Sequence, residues 1–346
     1  MARELFAVSV AIPAFNEAAR VGKAIESIRR QTEPPVEIIV VDDGSTDATA
    51  DVAAALGAHV VRQKNAGVSA ARNRAINEAK TPWIAFCDAD DVWFPQKLAR
   101  TRAAHELRPE VDFLFADHRS EYRGKITLLS MFATAPQYRA NVTERVADGV
   151  DFFERSALIR GLARANFIAP STVVVRRELL LEQRVYFDPD LPSSPQCHVS
   201  EDIEWYLRLL KFTDGLAVDC VLIEYHRHHG SLSDNVRRIQ DGVLKLGDIV
   251  AAAPDRYAPG AAAACASERR THLRAAAIAY ARGLQFRDAR PRLREAQGLE
   301  FRPGDEVLIA LCTAAGLPGG VWAADALRHA WRHALKPALR LLPRRR

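Results

Sequence analysis

The sequence predicts a doubly wound α/β domain, a mostly parallel sheet with helices on both faces, followed by a helical C-terminal region. Three observations carry that expectation. Short β-branched runs alternate with helical periodicity through the first 117 residues. The connections between those runs are long enough to demand parallel pairing. Beyond Ser233 the chain becomes Ala-, Leu- and Arg-rich, broken at Pro254, Pro259, Pro303 and Pro318.

Taken in order, Ala7 to Ile12 (AVSVAI) has strand length and composition, and Ala18 to Gln31 follows with Val21, Ala24, Ile25 and Ile28 at helical spacing. Glu37 to Val41 repeats the strand signal and Thr46 to Leu56 the helix. Next come a strand at His59 to Arg62, a helix from Ser69 to Ala79, a strand at Trp83 to Phe86, a helix from Gln96 to Leu107 and a strand at Val111 to Ala116. From Asp117 to about Arg227 the alternation is irregular. A strand is expected at Thr172 to Val175, a helix at Glu201 to Lys211 and a strand at Val221 to Tyr225. The expected boundary lies near residue 235, and no solenoid-type repeat is visible.

With 48% hydrophobic and 26% charged residues in 346, the composition excludes disorder, collagen and coiled coil. The net charge is +5, but residues 328–346 hold seven basic groups and no acid, which leaves the rest of the chain at −2. No basic face interleaved with aromatics precedes that tail, so nucleic acid is not an expected partner. Five cysteines, the closest two 23 residues apart, give no zinc spacing or disulfide framework and fit a reducing cytosol. Leu5 to Phe15 carries Pro13 and lacks a cleavage site, which reads as a buried strand rather than a leader. Val307 to Ala324 has no charge over 18 residues, yet Gly316-Leu317-Pro318-Gly319-Gly320 breaks it, so two short buried helices are expected there.

Open parallel sheets bind ligands beyond the carboxyl ends of their strands. Here those positions hold Pro13-Ala14-Phe15-Asn16-Glu17, Asp42-Asp43-Gly44-Ser45 and Asp88-Ala89-Asp90-Asp91. A turn leading into a helix N-cap would explain Asp42 to Asp47 unaided. Three carboxylates directly after the apolar run WIAF are costlier, and an oxygen-liganded divalent cation is the simplest neutraliser. Ser200-Glu201-Asp202 reads locally as an N-cap with acids in the first turn of a helix.

Six segments together resemble the family 2 glycosyltransferases, inverting enzymes of the GT-A fold. They are VSVAIPAFNE (8–17), IIVVDDGSTD (38–47), QKNAGVSAARNRAI (63–76), WIAFCDADDVWFP (83–95), VSEDIEWYLRLL (199–210) and YHRHHGSLS (225–233), in the family's order. The resemblance implies a GT-A domain over 1–235, with a nucleotide-binding half at 1–117 and an acceptor half at 118–235, ahead of a helical region at 236–346. It implies transfer of a sugar from a nucleotide-diphosphate donor, UDP-sugar favoured, to a hydroxyl of a growing or lipid-linked glycan. Pro13, Phe15 and Glu17 would floor the base and ribose, Asp43 would accept from the base, Arg72 would face the nucleotide and Asp88 would bind ribose. Asn73 would tie loops together. Asp90 would hold Mn²⁺ or Mg²⁺ with Asp91 as ligand or support, and His228 would reach the metal or diphosphate. Asp202, beside Glu201, would be the base that takes the acceptor proton. For Phe15 a place in the core remains the alternative, and for Glu201 and Asp202 helix capping.

The chain departs from the family twice: His226 stands where Arg is usual, and Tyr186 to Val199 lacks the Gly-Gly-Phe that commonly precedes the Glu-Asp pair. A sugar nucleotidyltransferase would want a glycine-rich loop right after the first strand, where no glycine precedes Gly22. A non-catalytic nucleotide-sugar-binding protein would not require the Glu-Asp pair. The tail repeats Arg328, Arg332, Lys336, Arg340 and Arg344 beside Leu327, Trp331, Leu335 and Leu339. That pattern suits a packed terminal helix, or contact with an anionic membrane surface that would place a cytoplasmic enzyme at the inner face.

Overall fold

Seven consecutive buried residues, Val8–Ala14, form the first strand, β1. Both of its faces are covered, which is why its sequence is an apolar run instead of an alternation. This computed structural model describes residues 6–191, 199–227, 236–282, 291–292 and 295–296.

The chain continues through α1 (Val21–Arg29), β2 (Glu37–Asp42), α2 (Thr49–Ala55), β3 (His59–Arg62), α3 (Val68–Glu78), β4 (Trp83–Phe86), β5 (Val92–Trp93) and α4 (Lys97–Leu107). Then follow β6 (Phe113–Tyr122), β7 (Lys125–Leu128), α5 (Met131–Thr134), α6 (Pro136–Asn141), β8 (Glu144–Ala147), β9 (Val150–Phe153) and α7 (Arg155–Arg164). After a 3₁₀ turn at Pro170–Thr172 come β10 (Val174–Arg176), α8 (Arg177–Glu182), α9 (Glu201–Leu209), β11 (Gly215–Arg227), α10 (Val236–Ala252) and α11 (Ala261–Arg282). In α1 the expected stripe of Val21, Ala24, Ile25 and Ile28 is buried.

The main sheet has the order β3-β2-β1-β4-β10-β6-β11-β9-β8. Strands β3, β2, β1 and β4 are parallel neighbours. β10 runs antiparallel between β4 and β6, and β6 is parallel to β11. The four parallel strands therefore deliver their carboxyl ends to one edge. β11, which lies parallel to β6, ends beyond the acid loop. There the Asp91 carboxylate reaches the backbone of His226 at 3.0 Å.

By compactness the chain divides into two units. The first comprises Met1–Pro192, Ser200–Asp234 and Ile249–Cys265, and the second Ser193–Val199, Asn235–Asp248 and Ala266–Arg346. Residues 249–265, on the far side of the expected boundary, thus group with the sheet. Within the second unit Arg269 pairs with Asp248 and Glu295, and Arg292 with Asp241. No described helix is long and apolar enough to cross a membrane. The uncharged stretch 307–324 and the tail 328–346 lie outside the described residues.

Candidate active site

All the described residues of the site belong to the first unit. At the end of β1, Pro13 is buried in register with Val41, and Ala14 with Asp42. Phe15, two residues after Pro13, is 47% exposed, which removes the core alternative for its ring. The chain then turns through Asn16 at φ 55°, a left-handed conformation that Asn tolerates better than most residues. Asn16 N–H donates to Ser45 Oγ at 2.9 Å, its Oδ1 accepts from Thr46 N–H at 2.9 Å, and Glu17 N–H donates to Thr49 Oγ1 at 2.7 Å. The loops after β1 and β2 are thereby stitched together. Glu17 is held by Arg20, whose Nε lies 2.5 Å from Oε2.

Asp43 is buried, and its carboxylate fastens the approach to α3. Oδ1 accepts from Gln63 Nε2 at 2.8 Å and from Ala66 N–H at 2.9 Å, while Oδ2 accepts from Gly67 N–H at 2.8 Å. This anchoring was not legible in the sequence. A carboxylate has about four acceptor positions, so three donors leave Oδ2 room for one more. Gly44, at φ 79°, permits the turn. A Cβ there would stand 2.9 Å from Asn65 N.

The acid loop follows β4. Asp91 N–H closes a turn on Asp88 O at 3.0 Å. Asp91 is wholly buried, with Oδ2 accepting from the Ser171 hydroxyl at 2.5 Å and Oδ1 from His226 N–H at 3.0 Å. It is this complete burial, rather than the two donors, that favours support over metal ligation for this residue. Burial, and then the charges of Asp90 and Asp88, push its carboxyl well above the usual range. Ser171 also accepts the N–H of Asp88 at 2.9 Å, so one hydroxyl holds both ends of the loop.

Arg72 projects from α3 into the middle of these groups, its side chain 3% exposed. Its two terminal nitrogens donate to Asp88 Oδ1 and Glu201 Oε1, each at 2.8 Å. Burial opposes its charge, but the two carboxylates outweigh that effect and raise its pKa. The guanidinium lies over Phe187 at 5.3 Å, and Phe187 stacks on Trp205 at 4.4 Å. Asn73 ties this ring in place by a reciprocal pair of 2.8 Å hydrogen bonds with the backbone of Phe187. The residue expected to face a nucleotide is therefore also the bridge between the acid loop and the Glu-Asp pair.

Glu201 and Asp202 open α9. Ser200 makes no side-chain capping bond there. Asp202 instead accepts from Ile203 N–H at 2.7 Å and from Asn166 Nδ2 at 2.8 Å. Its carboxyl is pushed up to about 7, first by burial and then by Glu201, against the opposing effects of Ile203 N–H, Arg72 and Asn166. Burial thus overrides the lowering expected from the helix N-terminus. His226 Nε2 lies 3.2 Å from Glu224 Oε1 and 3.6 Å from Glu121 Oε2. His228 lies outside the described residues. Asp90 is partly buried in the acid loop, and among the described residues no three His, Cys, Asp or Glu side chains converge into a metal cage. A cation at Asp90 would therefore take the rest of its ligands from substrate oxygens and water, as Mg²⁺ does with phosphates.

The chain is similar to known glycosyltransferases. Residues 9–165 match the family described as glycosyl transferase family 2. The succinoglycan biosynthesis protein ExoU of Rhizobium meliloti is 31% identical over 59% of this chain, a stretch that spans 56% of the relative. Among solved structures, S. aureus TarS 1-349 in complex with UDP-GlcNAc superposes with a TM-score of 0.55 at 19% identity, covering 88% of this chain and 79% of that one. Mannosyltransferase PcManGT from Pyrobaculum calidifontis, in complex with GDP-Man and Mn²⁺, gives a TM-score of 0.55 at 18% identity over 94% of this chain and 87% of that one. The matched residues carry β1 to α7, with the stitched loops, the acid loop and Arg72 at one sheet edge, and the chain shares the GT-A fold of these solved glycosyltransferases.

Proposed function

We propose that this protein transfers a sugar from a nucleotide-diphosphate donor, UDP-sugar favoured, to a hydroxyl of a growing or lipid-linked glycan, with inversion at the anomeric carbon. The observation that carries the reading is the bridge from Asp88 through Arg72 to Glu201 beside Asp202. It couples a candidate donor side to a carboxyl whose proton affinity, at about 7, suits a general base near neutral pH. Asp202 takes the proton of the attacking hydroxyl. Phe15, Pro13 and Glu17 floor the nucleotide, Asp43 offers its remaining acceptor position to the base, and Asp88 with Arg72 borders the ribose. Asp90, with His228, would hold Mn²⁺ or Mg²⁺. When bound, that cation stabilises negative charge on the departing diphosphate. The relative's role in succinoglycan biosynthesis supports a glycan acceptor, and a basic amphipathic tail supports a place at the inner membrane face.

Thermal unfolding with UDP, GDP or dTDP, each with and without Mn²⁺, tests the donor reading, because a ligand at about 100 times its Kd stabilises by about 2.7 kcal/mol. A metal-dependent shift with one nucleotide, abolished in Asp90→Asn, is expected. Release of nucleoside diphosphate from the matching sugar donor then separates a transferase from a binding protein. Absence of any nucleotide-dependent shift would overturn the proposal.

A further inference from the structure

Asn166 and Ser171 lie in one short segment between α7 and β10, and its two ends serve the two halves of the site. Asn166 Oδ1 accepts from Ile168 N–H at 3.0 Å, which turns the amide nitrogen outward to Asp202 Oδ2 at 2.8 Å. The amide orientation is thus set by the backbone donor it must satisfy. Five residues on, Ser171 Oγ accepts from Asp88 N–H and donates to Asp91. Between these contacts the segment is anchored in the core. Phe167 is buried, with its ring 5.6 Å from Tyr138 and 6.2 Å from Phe115, and Ile168 O accepts from Tyr206 Oη at 3.4 Å. Ala169 O accepts from both Thr172 N–H, at 2.9 Å, and Thr172 Oγ1, at 2.7 Å, closing the 3₁₀ turn.

We propose that residues 166–171 form a positioning strut, in which Asn166 orients and tunes Asp202 while Ser171 shapes the acid loop, so that one rigid segment sets the spacing between base and donor. The inference rests on the transferase reading and adds what holds its two sides apart. In the displacement, the acceptor oxygen bonds to the anomeric carbon as its proton passes to Asp202. The bond from that carbon to the diphosphate oxygen breaks, and its electron pair leaves with the diphosphate. Base and leaving group must stand on opposite faces of the sugar, and a misplacement of 1 Å can cost about 10²-fold in rate. The charged groups around Asp202 are Glu201 on its own helix, which raises its proton affinity, and Arg72 on α3, which lowers it; Tyr206, one turn along α9, is kept neutral by burial. Asn166 adds a neutral donor to the charged form and so favours the carboxylate.

The full-length chain tests this with variants of distinct signature. Asn166→Asp keeps the acceptor that closes the turn on Ile168 but replaces the amide donor with a second carboxyl. Asn166→Ala loses both, and Asn166→Ser restores a donor. Two readouts apply: the Asp202 titration followed by carboxyl-carbon NMR in the ligand-free protein, assigned with Asp202→Asn, and the pH dependence of nucleoside diphosphate release. Both midpoints should rise by about one pH unit in Asn166→Asp, rise less in Asn166→Ala, and return toward wild type in Asn166→Ser. Ser171→Ala should instead weaken Mn²⁺-dependent binding of the nucleoside diphosphate, read by thermal shift, by about 10-fold and leave the Asp202 midpoint in place. An unmoved Asp202 midpoint in folded Asn166→Asp, or unchanged nucleotide binding in Ser171→Ala, overturns the strut while wild-type turnover keeps the transferase reading. Wild-type protein that releases nucleoside diphosphate from no sugar donor overturns that reading, and the strut falls with it.

Discussion

At Asp202 a carboxyl raised to about 7 has a cost in stability as well as a use. In the unfolded chain an aspartate titrates at about 3.9, so between that value and about 7 the folded state holds the extra proton. Its contribution to stability is complete below about pH 4 and is lost as pH rises through about 7. Asp202→Asn removes this slope, and its unfolding midpoint should gain on that of wild type from about pH 4 to about pH 7 and level off above that. The same variant should lose ~10²-fold or more in sugar transfer while keeping donor affinity. Near-full transfer would return Asp202 to a capping role. Arg72 has the opposite character, since its buried cation satisfies two acids at once. Arg72→Met removes the buried cation that both acids face and should destabilise by about 3 kcal/mol. Adding Glu201→Gln should recover part of that loss, as a double-mutant cycle by chemical denaturation would measure.

The loop from β2 to α2 makes the corresponding argument for an element. Gly44 occupies φ 79°, where a Cβ would press on Asn65 N and Gln63 O, the backbone of the segment that Asp43 fastens. Gly44→Ala should therefore destabilise by about 1–3 kcal/mol and weaken nucleotide binding together, as thermal unfolding and nucleotide titration would record. Elements of this kind were legible in advance. The strands expected at His59 to Arg62 and Trp83 to Phe86 match β3 and β4, and β1 and β2 differ from expectation by one or two residues at an end. Each is an apolar run closed by turn residues. β8 gave no such signal, because a four-residue edge strand such as ERVA, with no residue buried, needs no apolar pattern. β11 was expected only from Val221 to Tyr225 but runs Gly215–Arg227, since Asp219 and Cys220 interrupt its pattern where the pairing with β6 shifts register. Asn166 and Ser171 escaped notice for another reason: their partners lie 36, 80 and 83 residues away, and no local spacing marks such contacts.

Over the whole molecule, charge is distributed unevenly, and that has a measurable consequence. Without residues 328–346 the chain sums to −2, so the net charge of +5 is a property of the tail alone. An anionic surface would thus attract one end of the protein and not its sheet domain. Basic residues near such a surface contribute about 1 kcal/mol each, and the accompanying Leu and Trp positions add apolar area to insert. Seven of them set an upper limit of about 7 kcal/mol, which screening at physiological salt reduces. Cosedimentation with anionic vesicles should therefore retain the full chain at low salt, release it as salt increases, and fail after deletion of residues 328–346. Neutral vesicles should retain neither protein. Equal partitioning of the intact and truncated chains would assign the tail instead to packing of its Leu and Trp row against the protein, and would remove the membrane from the proposed setting of the reaction.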